Sequence, residues 1–165
     1  MTLEQFNLLS REEARDAVRP CADVARWVDA VVDARPYSSV EELLTVAREI
    51  ATPWTIAEID GALAHHPRIG ERARGAHAEA LHSRSEQAGI DPGDAQVAEA
   101  LAAGNRAYEE RFGRVFLIRA ANRTPGEILA ALQTRMTHSP EQEIPVVAGQ
   151  LREIAVLRLE GILTS

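Results

Sequence analysis

Three polar stretches in this chain carry side-chain chemistry that packing alone does not require. The first is HHPRIGE, His65 to Glu71. Proline disfavours the α region for the residue before it, so a helix entering from about Ile56 should end near His65. His66 is then held on a stiffened corner. Imidazole gives or takes a proton near neutral pH, which suits an aimed acid–base group. An exposed histidine closing a helix, where a cation complements the dipole, fits the same spacing. The second stretch is SRSEQ, Ser83 to Gln87. Ser83 and Glu86 have the spacing of a reciprocal helix cap, and a carboxylate meeting a histidine would also orient it. The third feature is one residue. Ile144, Val147, Leu151 and Ile154 recur at spacings of three and four, and Arg158 takes the next place in that stripe, before Ile162. A guanidinium stays charged, and burying it unpaired costs on the order of several kcal/mol. The stripe therefore leaves three outcomes: an internal carboxylate, an anionic ligand, or a side chain that snorkels to the surface. Arg119, in the apolar run RVFLIRA, poses a weaker version of the same question.

Other chemistries find little support. The five histidines, His65, His66, His77, His82 and His138, form no HExxH pair. His77 and His82 do not share a helix face, so no metal site is expected. Glycine-rich phosphate loops and a GxSxG nucleophile turn are absent. The net charge is −7 with no basic block, which argues against a nucleic-acid partner. No apolar run has membrane-spanning length and no signal-peptide pattern opens the chain, so no membrane association is expected. The lone Cys21 cannot form an internal disulfide and suits a reducing compartment. The closing ILTS is not a peroxisomal address, and the cytoplasm is the expected location.

The elements that must position these groups read as helices. Ser or Thr followed three residues later by Glu or Gln marks a helix start. The pattern falls at Ser10/Glu13, Ser39/Glu42, Thr55/Glu58, Ser83/Glu86, Thr124/Glu127 and Ser139/Gln142. Pro125 and Pro140 follow two of these caps at the first helical position, where a missing N–H costs nothing. Val97, Leu101, Tyr108 and Phe112 form one apolar stripe that stops at Gly113, and Ile128 to Leu132 carry another. Arg114 to Ala120 is the one compact apolar run that could be extended. One strand cannot make a sheet, so it reads as a buried extended connector. DPGD, Asp91 to Asp94, reads as a turn between helices. Aromatic residues are 4% of the chain, so aliphatic side chains must fill the core. The expectation is an all-α protein: a single-domain helical bundle over residues 1–165, with about seven to nine helices and one buried extended connector.

Taken in order, HHPRIG, SRSEQAG, NRAYEERFGRVFLIRA, EILAALQTRM and LREIAVLRLEGIL resemble the 2-oxo-4-hydroxy-4-carboxy-5-ureidoimidazoline (OHCU) decarboxylases of purine breakdown. The resemblance runs from about Phe6 to Leu163, and its most specific part is HPRIG followed by SxxEQ. It implies an all-helical homodimer without metal or organic cofactor that converts OHCU, a product of urate oxidation, into (S)-allantoin and CO2. The family's histidine before proline matches His66, its glutamate matches Glu86, and its arginine in the C-terminal helix aligns with Arg158. These three are the catalytic residues the resemblance implies. Its substrate-contacting positions map onto Pro67, onto Ser83, Arg84, Ser85 and Gln87, and onto Ile118, Arg119, Ala120, Ala121 and Asn122. Arg68 and Ile69 would pin the histidine loop to the core.

Two departures stand out. The family's FxICAxGK reads FLIRAANR here, with Arg119 at the usual cysteine, which bears on substrate selection. Its RLxN reads RMTH, ending at His138, which bears on local packing. Three other classes fit the residues without the resemblance: a ligand-binding helical module without chemistry, a metal-dependent hydrolase using the histidines, and a partner-binding adaptor.

Overall fold

The computed structural model describes residues 1–66, 68 and 95–164 of the 165. Among these residues there are eight α-helices, one turn of 3-10 helix and no strand, as expected for an all-α chain. The chain divides into two compact units, Met1–Ala62 with Leu151–Ser165, and Leu63–Gln150.

The first unit holds α1 (Leu3–Leu8), α2 (Arg11–Val18), the 3-10 turn Arg19–Cys21, α3 (Ala25–Asp33) and α4 (Val40–Ile50). Most of α5 (Ile56–Leu63) and the last part of α8 (Pro140–Thr164) belong to it as well. Its buried residues include Phe6, Val18, Trp27, Val31, Leu43, Ala47 and Ile59, with Leu151, Ile154 and Leu159 from α8. Trp27 is held by more than apolar burial: its indole N–H donates to the Ala47 carbonyl at 2.9 Å, and its ring tilts against Trp54 at 6.1 Å. Helix α5 matters most for the candidate site because His66 follows it. Its start is a reciprocal cap, with Thr55 N–H donating to Glu58 at 2.9 Å and Glu58 N–H to the Thr55 hydroxyl at 3.1 Å. Arg26 reaches over from α3 to the same carboxylate at 2.8 Å and to the Ile50 carbonyl at 3.0 Å. This ion pair holds Glu58 below the usual carboxylate range.

The second unit is built on α6 (Ala95–Phe112) and α7 (Pro125–Arg135), with the first part of α8. The α6 stripe is as read: Leu101 and Tyr108 are buried, with Val97 and Phe112 packed beside them. Gly113 ends the helix at φ +70°, a conformation open to glycine, and its N–H bonds back to Glu109 at 2.8 Å. Helix α7 crosses α6 closely. A Cβ at Gly104 would lie 2.3 Å from Leu132 Cδ2, so a larger residue here would force the Leu132 side chain to shift. Residues 114–120 run between the helices without regular structure, and Phe116, Leu117, Ile118 and Ala120 are buried. That is the expected extended connector, and its side chains join the core of Leu101, Tyr108, Ile128 and Leu132.

Most of the sequence-read caps form. Ser10/Glu13, Thr55/Glu58, Thr124/Glu127 and Ser139/Gln142 bond in both directions. At Ser39 only half the box closes. Glu42 instead accepts the Ser38 N–H and hydroxyl, each at 2.7 Å, because the preceding serine offers two donors to one carboxylate. Thr2/Gln5 forms a further box with the same sequence signal. Ser83/Glu86 and the DPGD turn lie outside the described residues.

Candidate active site

Helix α5 ends at Leu63, and the His66 N–H closes the turn onto the Leu63 carbonyl at 3.1 Å. The imidazole follows a terminated helix and is half-buried. Two residues on, Arg68 is exposed and holds the stretch through an ion pair, not through the expected core contact, and Ile69 lies outside the described residues. Arg68 Nε and Nη2 both donate to Glu109 on α6, the second at 2.9 Å. This hydrogen-bonded arginine holds the Glu109 carboxyl below its ordinary range. The pairing is bidentate and joins residues 41 apart in the chain, so the stretch that carries His66 is anchored to the long helix of its own unit.

Arg158 lies in the first unit and is 3% exposed, so its side chain does not snorkel. Val147, Leu151 and Ile154 of the same stripe are buried, and Ile144 and Ile162 are half-buried at its ends. Its Nη1 donates to the Pro20 carbonyl at 3.5 Å.

The candidate substrate segment, Ile118 to Asn122, alternates. Ile118 and Ala120 are buried, Arg119 between them is half-buried, and Ala121 is half-buried where the turn begins. Its polar groups are tied down. Arg119 N–H donates to the Gln150 side chain at 2.8 Å, Arg119 Nη1 to the Ala121 carbonyl at 3.1 Å, and Arg123 N–H to the Ala120 carbonyl at 3.1 Å. Asn122 then turns the chain at φ +61°, the left-handed region that asparagine tolerates better than most side chains. The Arg119 departure thus has a structural effect: its guanidinium braces the turn that follows it.

Pro67, Ser83, Arg84, Ser85, Glu86 and Gln87 lie outside the described residues. Among the described residues, no group of three or more His, Cys, Asp or Glu side chains could hold a metal ion. No described helix is long and apolar enough to cross a membrane.

One polar cluster was not expected from the sequence. Arg135, at the end of α7, is 5% exposed and sits against Glu143, which is 2% exposed. Arg135 Nε donates to Glu143 Oε1 at 2.6 Å and Arg135 Nη1 to the Leu117 carbonyl at 2.6 Å. The Tyr108 hydroxyl donates to Glu143 Oε1 at 2.6 Å, and His138 Nδ1 lies 2.8 Å from Oε2. Burial, and then the hydrogen bond to Glu143, push the Tyr108 hydroxyl far above its ordinary range, so it remains a donor. The guanidinium also stacks on Phe116, 4.6 Å from the ring centre. A signal was available. Ile128, Leu132 and Arg135 are spaced four and three apart, and Glu143 stands four before Val147. Each charge therefore extends an apolar stripe, which is the rule that singled out Arg158.

Comparison with known proteins agrees with this architecture. A family model described as OHCU decarboxylase matches residues 7–160. The 2-oxo-4-hydroxy-4-carboxy-5-ureidoimidazoline decarboxylase of Haloferax volcanii is 30% identical over 160 residues, covering 96% of this chain and 94% of its own. The protein of the same name from Amia calva is 31% identical, covering 99% and 95%. Among solved structures, an OHCU decarboxylase crystallised in the presence of (S)-allantoin superposes with a TM-score of 0.74 at 23% identity, over 91% of this chain and 99% of that one. At that identity the superposition speaks for the fold alone.

Proposed function

The chain belongs to the OHCU decarboxylase family, and on that premise we propose that it is a carboxy-lyase converting OHCU to (S)-allantoin and CO2 in urate degradation. The observation that carries this reading is the family match across residues 7–160, nearly the whole chain. Residues 1–165 serve as one OHCU decarboxylase-like domain, acting as a cytoplasmic homodimer.

The chemistry assigns roles to few groups. The bond from the hydroxyl-bearing ring carbon to the carboxylate breaks, and its electron pair moves toward the adjacent carbon–nitrogen double bond. The hydroxyl carbon loses its O–H proton and ends as a carbonyl, the nitrogen of the former double bond takes one proton, and the neighbouring ring carbon takes another on one face. The substrate supplies its own electron sink, so this reading requires neither metal nor organic cofactor. His66 is the proton-transfer group, help worth about 10²–10⁴-fold. Its half-buried place after a terminated helix supports that role. Arg158 holds an anionic oxygen of the substrate through parallel N–H bonds, fixing orientation along with charge. Its burial on the α8 stripe supports this. Glu86 anchors the hydroxyl or ureido groups, or sets the protonation state of His66. Pro67, Ser83 to Gln87 and Ile118 to Asn122 form the surrounding surface, with the backbone of the last segment reading the flat ring.

The test generates OHCU in situ from urate and follows the rate and handedness of allantoin formation. OHCU decays spontaneously to racemic allantoin, so the chiral signal separates catalysis from background. The wild-type chain should give (S)-allantoin well above the background rate, and His66→Asn should lose most of that acceleration while His65→Asn loses less. Racemic product at the background rate from the wild-type chain would sink the proposal.

A further inference from the structure

We propose that Arg135 and Glu143 are positioning residues for this reaction, fixing the 118–122 segment through the backbone that precedes it. The inference rests on reading that segment as substrate-contacting. Residues 114–120 have neither helix nor strand to satisfy their backbone, and a buried carbonyl must find a donor. For Leu117, itself buried, the donor is Arg135 Nη1 at 2.6 Å. Two residues later Gln150 accepts the Arg119 N–H at 2.8 Å. Just before them, the guanidinium face packs on Phe116. The backbone at the start of the segment is therefore held at residues 117 and 119 by side chains from α7 and α8, and the Phe116 ring packs against the same guanidinium.

Stability alone is a poor reason for this arrangement. A buried ion pair loses hydration on both ions, and a well-packed apolar pair often serves as well or better. What an apolar pair cannot do is hold the Leu117 carbonyl in one direction. Glu143 supplies the complement: it accepts from Arg135 Nε, from the Tyr108 hydroxyl and faces His138, so the guanidinium plane has one orientation. His138, the departure from the family pattern, is thereby part of the clamp.

Two variants test this. Arg135→Lys keeps the charge but cannot grip Glu143 and Leu117 and stack on Phe116 at once. The double variant Arg135→Met with Glu143→Leu removes both buried charges together, so the core need not collapse. Each is assayed below its own melting transition for kcat, KM and enantiomeric excess of allantoin, per folded enzyme. The expected result is a rise in KM of about 10-fold, because misplacing binding groups by a fraction of an ångström weakens substrate contacts. Enantiomeric excess should fall with it. Tyr108→Phe leaves Arg135 on Leu117, and should lower the melting temperature with KM within about twofold of wild type.

Either folded variant with wild-type KM and enantiomeric excess overturns the proposal, whatever its melting temperature. Failure of both to fold assigns the pair to the core alone and also overturns it. A wild-type chain that yields only racemic allantoin removes the proposed function first, so the two failures are distinguishable.

Discussion

Arg135 and Arg158 lie on consecutive helices, each in a place where helical spacing calls for an aliphatic side chain, at 5% and 3% exposure. Their proposed roles differ in kind. Arg135 meets a carboxylate, a carbonyl, a hydroxyl and two aromatic rings within its own unit. The protein itself answers that charge. Arg158 stands beyond Val147, Leu151 and Ile154 on the α8 stripe and donates to the Pro20 carbonyl at 3.5 Å, and the proposed complement to its charge is the substrate. A cation in an apolar stripe thus poses one physical question: the fixed internal anion at Arg135 makes a structural clamp, and the exchangeable anion proposed for Arg158 would make a binding site.

The comparison is most sharply strained by removing the fixed anion. Glu143→Ala leaves the Arg135 guanidinium buried against Tyr108 and Phe116 without its carboxylate. Stripping one partner from a buried pair costs about 3–5 kcal/mol. Equilibrium denaturation should show a loss in that range. A loss under about 1 kcal/mol, the value of an exposed pair, would mean that Arg135 is not caged, and the contrast with Arg158 would collapse.

The next largest effect is on turnover. Arg158→Lys keeps charge and similar reach but loses the planar fork. The melting temperature should stay close to wild type while kcat/KM for OHCU falls, with about 2–4 kcal/mol of transition-state stabilisation lost. Near-normal turnover with lowered stability would place Arg158 in the same class as Arg135.

What the sequence disclosed follows from the range of the forces involved. Caps and helix stops act over three or four residues, so Ser10/Glu13, Thr124/Glu127 and the Gly113 stop could be read directly. The connector was legible because a glycine and a capped proline fence an apolar run too short to be a helix. The stripe rule found Arg158 because four apolar residues precede it. It missed Arg135, which sits in the last turn of α7, where a basic residue also complements the helix dipole. It missed Glu143 because Ile144, next to it, starts an equally good stripe, although Ile144 is half-buried and Glu143 is the buried one. Pairing across residues 135 and 143 with Tyr108 and Leu117 is tertiary, and no local spacing encodes it. The same holds for Arg68 and Glu109: the loop was readable, its anchor was not.

That anchor sets the smallest expected effect and the other limit of the comparison, a cation whose pair faces solvent. Arg68 is 45% exposed at its side chain, so its pair with Glu109 should contribute no more than about 1 kcal/mol. Arg68 holds Glu109 below its ordinary range, which fixes the sign of the pH dependence. A depressed carboxyl contributes stability above its unfolded value, about 4.3, and loses it as pH falls through the lower folded value. Melting temperatures of wild type and Glu109→Gln should therefore differ slightly at pH 7 and converge in acid. The anchor lies two residues from His66, so Glu109→Gln should also slow turnover by about two- to fivefold through misaiming, a far smaller effect than loss of the proposed proton carrier itself. A melting gap that persists at low pH would show that glutamine perturbs packing at this position and not the ion pair. A turnover loss as large as that of Arg158→Lys would place Glu109 among the groups that act on the substrate, and exposure would no longer separate structural from functional cations in this protein.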